Sequence, residues 1–171
     1  MFAQESGGQG SDTGEGRDTD FTISLPKVNG QPGTEVSLPV LFSRKTDAPN
    51  VTTLRVRLRN TGSLLKYSRI EDAYLSRRAQ MKMQAKELSA SEIEMNFELP
   101  DPQHTGFPSG QIATVFFKIA DGAPDGVIPV PAEAWIDAKQ VMPNSTAAKV
   151  EPGEVRVSQT PVLVSCFFFT H

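Results

Sequence analysis

One cysteine, Cys166, is all that 171 residues contain, so no intrachain disulfide framework is available and the fold must rest on a packed core. Histidine is nearly as scarce, with His104 and His171 alone. Two histidines and one cysteine cannot make a structural zinc site of the usual all-Cys/His kind. No G-x-S-x-G elbow is present to hold a strained serine nucleophile. No apolar run approaches the roughly 20 residues that a bilayer-spanning helix needs, and PVLVSCFFF at 161–169 is far too short. A basic N-terminal region with a long apolar core is also missing. The opening MFAQES instead reads as the stub of a removed signal peptide, with Ala3 at a cleavage-type position, which points to export. An excess of positive charge is absent too: the formal net charge of −3 and pI near 5.4 exclude a general nucleic-acid binder. Strongly amphipathic helices are lacking, and without crossover helices a parallel α/β sheet is excluded.

What remains is alternation, repeated along the chain. DFTISL sets Phe21, Ile23 and Leu25 on one side, and EVSLPVLF does the same with Val36, Leu38, Val40 and Phe42. TLRVRLR places Leu54, Val56 and Leu58 inward and Arg55, Arg57 and Arg59 outward. MKMQAKEL and EIEMNFEL form an expected hairpin across SAS. Met81, Met83 and Ala85 share one side of its first strand, and Ile93, Met95, Phe97 and Leu99 repeat the pattern on the second. The other faces read Lys82, Gln84 and Lys86 on the first strand and Glu92, Glu94, Asn96 and Glu98 on the second, so opposite charges are expected to pair across the ladder for about 0.2–1 kcal/mol each. QIATVFFKIA is apolar on both faces, as a central strand should be. VIPVPAEAWIDA carries Ile128, Val130, Ala132, Ala134 and Ile136 inward, and Pro129 and Pro131 put its first half at a sheet edge. GEVRVSQ adds Val155 and Val157. The segment from Leu64 to Ala79 is less regular and allows one short helix near 73–79.

Several features carry a bland reading beside a functional one. Asp121 and Asp125 in DGAPDG offer oxygens for calcium, but Asp-Gly pairs are first of all turn residues, and the turn is preferred. Asn50-Val51-Thr52 and Asn144-Ser145-Thr146 match glycosylation sequons of a length that arises by chance. Residues 1–19 are acidic and rich in Gly and Ser, and are expected to be a disordered leader or linker. Residues 159–171 form an apolar tail that is expected to pack on the domain. The informative feature is the set of outward residues: Arg55, Arg57, Lys82, Lys86, Glu94, Glu133 and Trp135, with Glu98 and Asp137 beside them. Tryptophan and arginine are enriched at binding hot spots, although a lone tryptophan can also serve to cover a sheet edge.

VNGQPGTEVSLPVLF, residues 28–42, resembles the start of cohesin domains, with Gly30, Gly33, Val36, Pro39 and Val40 in the places of their turn-and-strand motif. GQIATVFFKIADGAPDG is similar to a later cohesin segment through Gly110, Ile112, Ala113, Val115, Phe117, Lys118, Ile119 and Gly126. VEPGEVRV, through Gly153, Val155 and Val157, resembles the final cohesin strand. The likeness covers about residues 20–158. It implies an all-β, nine-stranded jelly-roll sandwich, related to carbohydrate-binding sandwiches, that binds a dockerin or another surface or secretion protein through an outer sheet face. By strand order that face corresponds to 54–59, 81–87, 92–98 and 133–137. Cohesins often offer Asn or Asp on the third strand, whereas this chain offers Arg55, Arg57 and Arg59.

The resulting expectation is a non-catalytic, exported bacterial interaction module over residues 20–158. Its partner is a protein, and it needs no cofactor, metal, nucleic acid or membrane span. The alternative is a carbohydrate-binding module that takes polysaccharide on exposed aromatics, for which Trp135, Tyr67 and Tyr74 are the candidates. A spacer with no detachable partner is a third reading.

Overall fold

The computed structural model describes residues 19–59, 63–101 and 106–160. The acidic leader, His104, Cys166, His171 and the apolar tail lie outside the described residues, apart from Thr19, Gln159 and Thr160.

Alternation becomes a two-layer sandwich. One layer contains β1 (Phe21–Ser24), β3 (Glu35–Arg44), β5 (Leu65–Asp72), β8 (Gly110–Ile119) and β12 (Ala148–Glu151), in the order β12-β1-β3-β8-β5. The other contains β4 (Thr53–Arg59), β6 (Lys82–Ser89), β7 (Glu92–Glu98), β10 (Ala132–Ile136) and β11 (Lys139–Gln140), in the order β11-β10-β4-β7-β6. A small sheet of β2 (Lys27–Gly30), β13 (Gly153–Val157) and β9 (Gly126–Val130) completes the architecture. Residues of inward parity fill the space between layers: Ile23, Leu38, Val40, Val56, Met95, Val115 and Ile119 are fully enclosed, and Phe42, Leu54, Leu58, Phe97 and Phe117 nearly so. Each such side chain contributes about 1.5–3 kcal/mol by leaving water.

The jelly-roll class is as expected, but the described residues hold 13 strands rather than nine. Proline accounts for most of the difference. Pro26 separates β1 from β2, Pro131 separates β9 from β10, and Pro152 separates β12 from β13. A proline has no N–H for the ladder, so three long strands each become two. The break at Pro131 also moves the chain between sheets: β9 pairs with β13, whereas β10 pairs with β4. β9 is an edge strand, which suits Pro129 within it. The remaining extra strand is β11, paired with β10.

The QPGT corner is a turn whose residues fit their places. The Thr34 N–H donates to the Gln31 carbonyl at 3.1 Å, with Pro32 and Gly33 between them and Gly33 at φ 74°. This is the type II pattern, which favours proline first and requires positive φ second. A Cβ at Gly30 would run into the Ile119 side chain.

The less regular segment resolves into edge strand β5, bulged between Tyr67 and Arg69, and one short helix, α1 (Tyr74–Arg78). The helix lies against β8, where the buried Ser76 hydroxyl donates to the Ile112 carbonyl at 2.5 Å. No helix among the described residues is long and apolar enough to cross a membrane.

Candidate protein-binding face

The four stretches carrying the expected site residues are neighbours in one sheet, in the order β10-β4-β7-β6. Register then sets the outward residues in rows. Glu133, Arg57, Glu94 and Lys86 stand side by side across four strands. The adjacent row is Gln140, Trp135, Arg55, Asn96 and Gln84. Lys82 lies opposite Glu98, one row further on at the edge strand. All seven expected residues therefore share one surface.

Electrostatics divides that surface into two parts. In the first, charges are satisfied internally. The Arg57 guanidinium donates to Glu94 Oε2 from Nη2 at 2.8 Å and from Nε at 3.3 Å, with the Glu94 side chain only 13% exposed. The hydrogen bond from Arg57 is the main reason that the Glu94 carboxyl sits below its ordinary value; burial opposes it, and the charge of Arg55 assists. Arg57 is raised in turn, chiefly by Glu94. Arg59 bridges Glu92 through Nε and Glu133 through Nη2, both at 3.2 Å. Parity puts Glu92 on the outward face, but its pairing with Arg59 needs the β4–β7 register, which no local pattern reveals.

In the second part, charge is left open. Arg55 forms no ion pair among the described residues, and its guanidinium lies over the Trp135 ring at 4.2 Å from the centroid. Arg57 approaches the same ring at 5.1 Å. Such cation–π contacts are worth about 0.5–1 kcal/mol at partly exposed sites. A shallow open hollow of about 240 Å³ adjoins this pair, bounded by Arg55, Asn96, Glu98, Trp135 and Ala138.

Three expectations are corrected here. Lys82 and Lys86 do stand opposite Glu98 and Glu94, but they form no ion pair among the described residues; Glu94 turns to Arg57 instead. Ala85, on the Met83 side of β6, is exposed, because β6 is the edge of its sheet. Asp137 belongs to a turn rather than to the face. Asp137 and Ala138, at φ 46° and 66°, form the two-residue hairpin loop between β10 and β11 in the I′ pattern. Asp137 Oδ1 accepts from the Thr52 hydroxyl at 2.6 Å and from the Thr52 and Thr53 amides, each at 2.9 Å. Partial burial pushes its carboxyl up, and these hydrogen bonds outweigh that and hold it low. The hairpin was hidden in the sequence because an alanine fills a place where glycine is the usual signal.

Elsewhere, Asp125 Oδ1 accepts the Gln159 amide at 2.7 Å, a loop-holding role. Among the described residues, no group of three or more His, Cys, Asp or Glu side chains is placed to hold a metal ion.

No family model and no curated protein matches the sequence. Solved structures match it in shape. A type I cohesin of Pseudobacteroides cellulosolvens, the seventh of ScaB, superposes with a TM-score of 0.63 at 17% identity, covering 86% of this chain and 98% of that one. The fold is that of a cohesin domain. The sixth cohesin of Acetivibrio cellulolyticus scaffoldin B, solved in complex with a dockerin, gives 0.62 at 22% identity, with 82% and 100% covered. A non-cellulosomal cohesin from the archaeon Archaeoglobus fulgidus gives 0.62 at 14%, with 82% and 92% covered. The cohesin fold is thus reached with few identical residues, which agrees with a likeness carried by turn glycines and core parity.

Proposed function

We propose that this protein is a non-catalytic interaction module that binds a dockerin-like or other protein partner through the outer face of the β10-β4-β7-β6 sheet. The observation that carries this reading is the ordered face itself, with six charged residues in register around one tryptophan that two guanidinium groups approach. Ion pairs and ring stacking fix the side chains before a partner arrives, so less entropy is lost on docking. Fold analogy adds weight, since several solved neighbours are cohesin–dockerin complexes. An extracellular or cell-surface assembly is the setting that such neighbours suggest, with residues 20–158 as the module.

The face is not arranged for catalysis. Glu94 and Glu133 are held by arginines, and Glu94 is kept ionised, the opposite of a poised proton donor. The carbohydrate-binding alternative is not favoured, because its rings are dispersed: Trp135 is on β10, Tyr67 on β5 of the other layer, and Tyr74 on α1. They form no common platform.

The test is calorimetric titration with the dockerins solved alongside the cohesin neighbours and with insoluble cellulose. Micromolar or tighter binding of a dockerin, lost in Trp135→Ala, is the expected result. Binding to cellulose with no dockerin bound would overturn the proposal.

A further inference from the structure

Resting on that reading of the face, we infer that Arg55 is the specificity residue of the surface and seats a single carboxylate side chain of the protein partner in the hollow beside Trp135. Three arginines line β4, and two are already used: Arg57 by Glu94, and Arg59 by Glu92 and Glu133. Arg55 alone has no carboxylate at ion-pair distance among the described residues, although it is half-buried with its guanidinium over an indole ring. A planar guanidinium with its fork open is suited to a bidentate carboxylate, and the aromatic ring behind it limits the rotamer freedom lost on pairing. The hollow opens at this point, with the Asn96 side chain beside Arg55 in the same row.

The same surroundings work against a polyanion at Arg55, although Lys82 and Lys86 stand further along the face with no ion pair among the described residues. Glu98 forms another wall of the hollow, and Glu94 and Glu133 stand one row away. A nucleic acid or acidic polysaccharide would bring its repeated charges against these carboxylates. A protein surface can bring one carboxylate to Arg55 and leave Glu98 facing a neutral or basic group. The arrangement therefore selects by pattern of charge and not by its sum.

A display library of a small protein scaffold, randomised without bias between Asp/Glu and Lys/Arg, tests this when selected on the folded protein. Binders lost on Trp135→Ala are retained and titrated against Arg55→Glu and Arg55→Lys. These binders should be enriched in Asp or Glu, lose at least tenfold in affinity on Arg55→Glu, and regain it when one binder carboxylate is changed to Lys. Arg55→Lys should give an intermediate loss, since charge remains without the fork. Thermal melts establish that each variant is folded.

Binders that need Trp135 but show no acidic enrichment, or no rescue by charge reversal, would overturn the role of Arg55 and leave the binding face standing. Binders indifferent to both residues would overturn the face and Arg55 together. Retention of the protein by polygalacturonate, lost on Arg55→Glu, would overturn the protein-carboxylate assignment.

Discussion

The two outer faces of the sandwich use the same device and differ in how it is completed. On the β3-β8-β5 side, Arg69 lies over Phe116 at 3.8 Å from the ring centroid, much as Arg55 lies over Trp135. Arg69 is closed off by two carboxylates, with Nη1 on Glu35 and Nε on Glu71 at 3.0 Å. Ser68 adds a hydroxyl to Glu35 at 2.8 Å. Arg55 has no such partners among the described residues. A stacked arginine with its charge satisfied covers an aromatic ring; a stacked arginine with its charge open has a docking role left to fill.

The comparison can be broken most severely at adjacent residues of β8. Phe117 is 1% exposed in the core, whereas Phe116 faces outward beneath Arg69. Phe117→Asp should unfold the domain, because a buried unpaired charge costs several kcal/mol. Phe116→Asp should leave it folded, as circular dichroism melts would show. An unchanged melting temperature for Phe117→Asp would refute the assigned parity.

At the level of binding, Trp135→Ala should cost a bound protein partner about 2 kcal/mol or more, roughly thirtyfold in Kd. Phe116→Ala should leave Kd unchanged, since its face is occupied by its own salt bridges. Equal losses in titration calorimetry would erase the distinction between the faces.

A smaller contrast lies in the ion pairs. Arg57→Ala leaves the mostly buried Glu94 carboxylate without its donor and should destabilise the fold by about 1–2 kcal/mol in urea titrations. Arg69→Ala, in a half-exposed network, should cost less, mainly through the lost contact with Phe116.

The finest contrast is with pH. The folded state holds the Glu94 carboxyl below its ordinary value of 4.5, mainly through the Arg57 hydrogen bond. A depressed folded value means stability that is fully present above 4.5 and is lost as pH falls through the lower folded value. Glu94→Gln should remove that slope. Glu35 is also lowered, chiefly by Arg69, but it is more exposed than Glu94, so Glu35→Gln should change the acid limb less. Urea midpoints from pH 6 to pH 2 compare the two.

Much of the core was legible because each half-buried strand carries its own record of which side faces in. Ile23, Leu38, Val56, Met95 and Val155 needed no partner to declare their direction. Strand β5 was not legible: it lies at an edge and is bulged at Ser68, so the period of two fails where it is needed. The seven face residues could be chosen by parity alone, yet parity could not tell Arg55 from Arg57. That difference depends on the register that brings Glu94 beside Arg57 and on the side-chain geometry that leaves Arg55 on the ring. The prolines were visible throughout, but only the sheet pairings show that the break at Pro131 takes the chain from one sheet to another.

The most direct measurement is an amide and indole chemical-shift titration of the labelled protein with a dockerin that it binds, or failing one, with a display-selected protein binder. Shifts centred on the Trp135 indole N–H and on the amides of Arg55, Arg57, Asn96 and Glu133 are the expected result. Shifts centred instead on Arg69, Phe116 and Lys118 would contradict it.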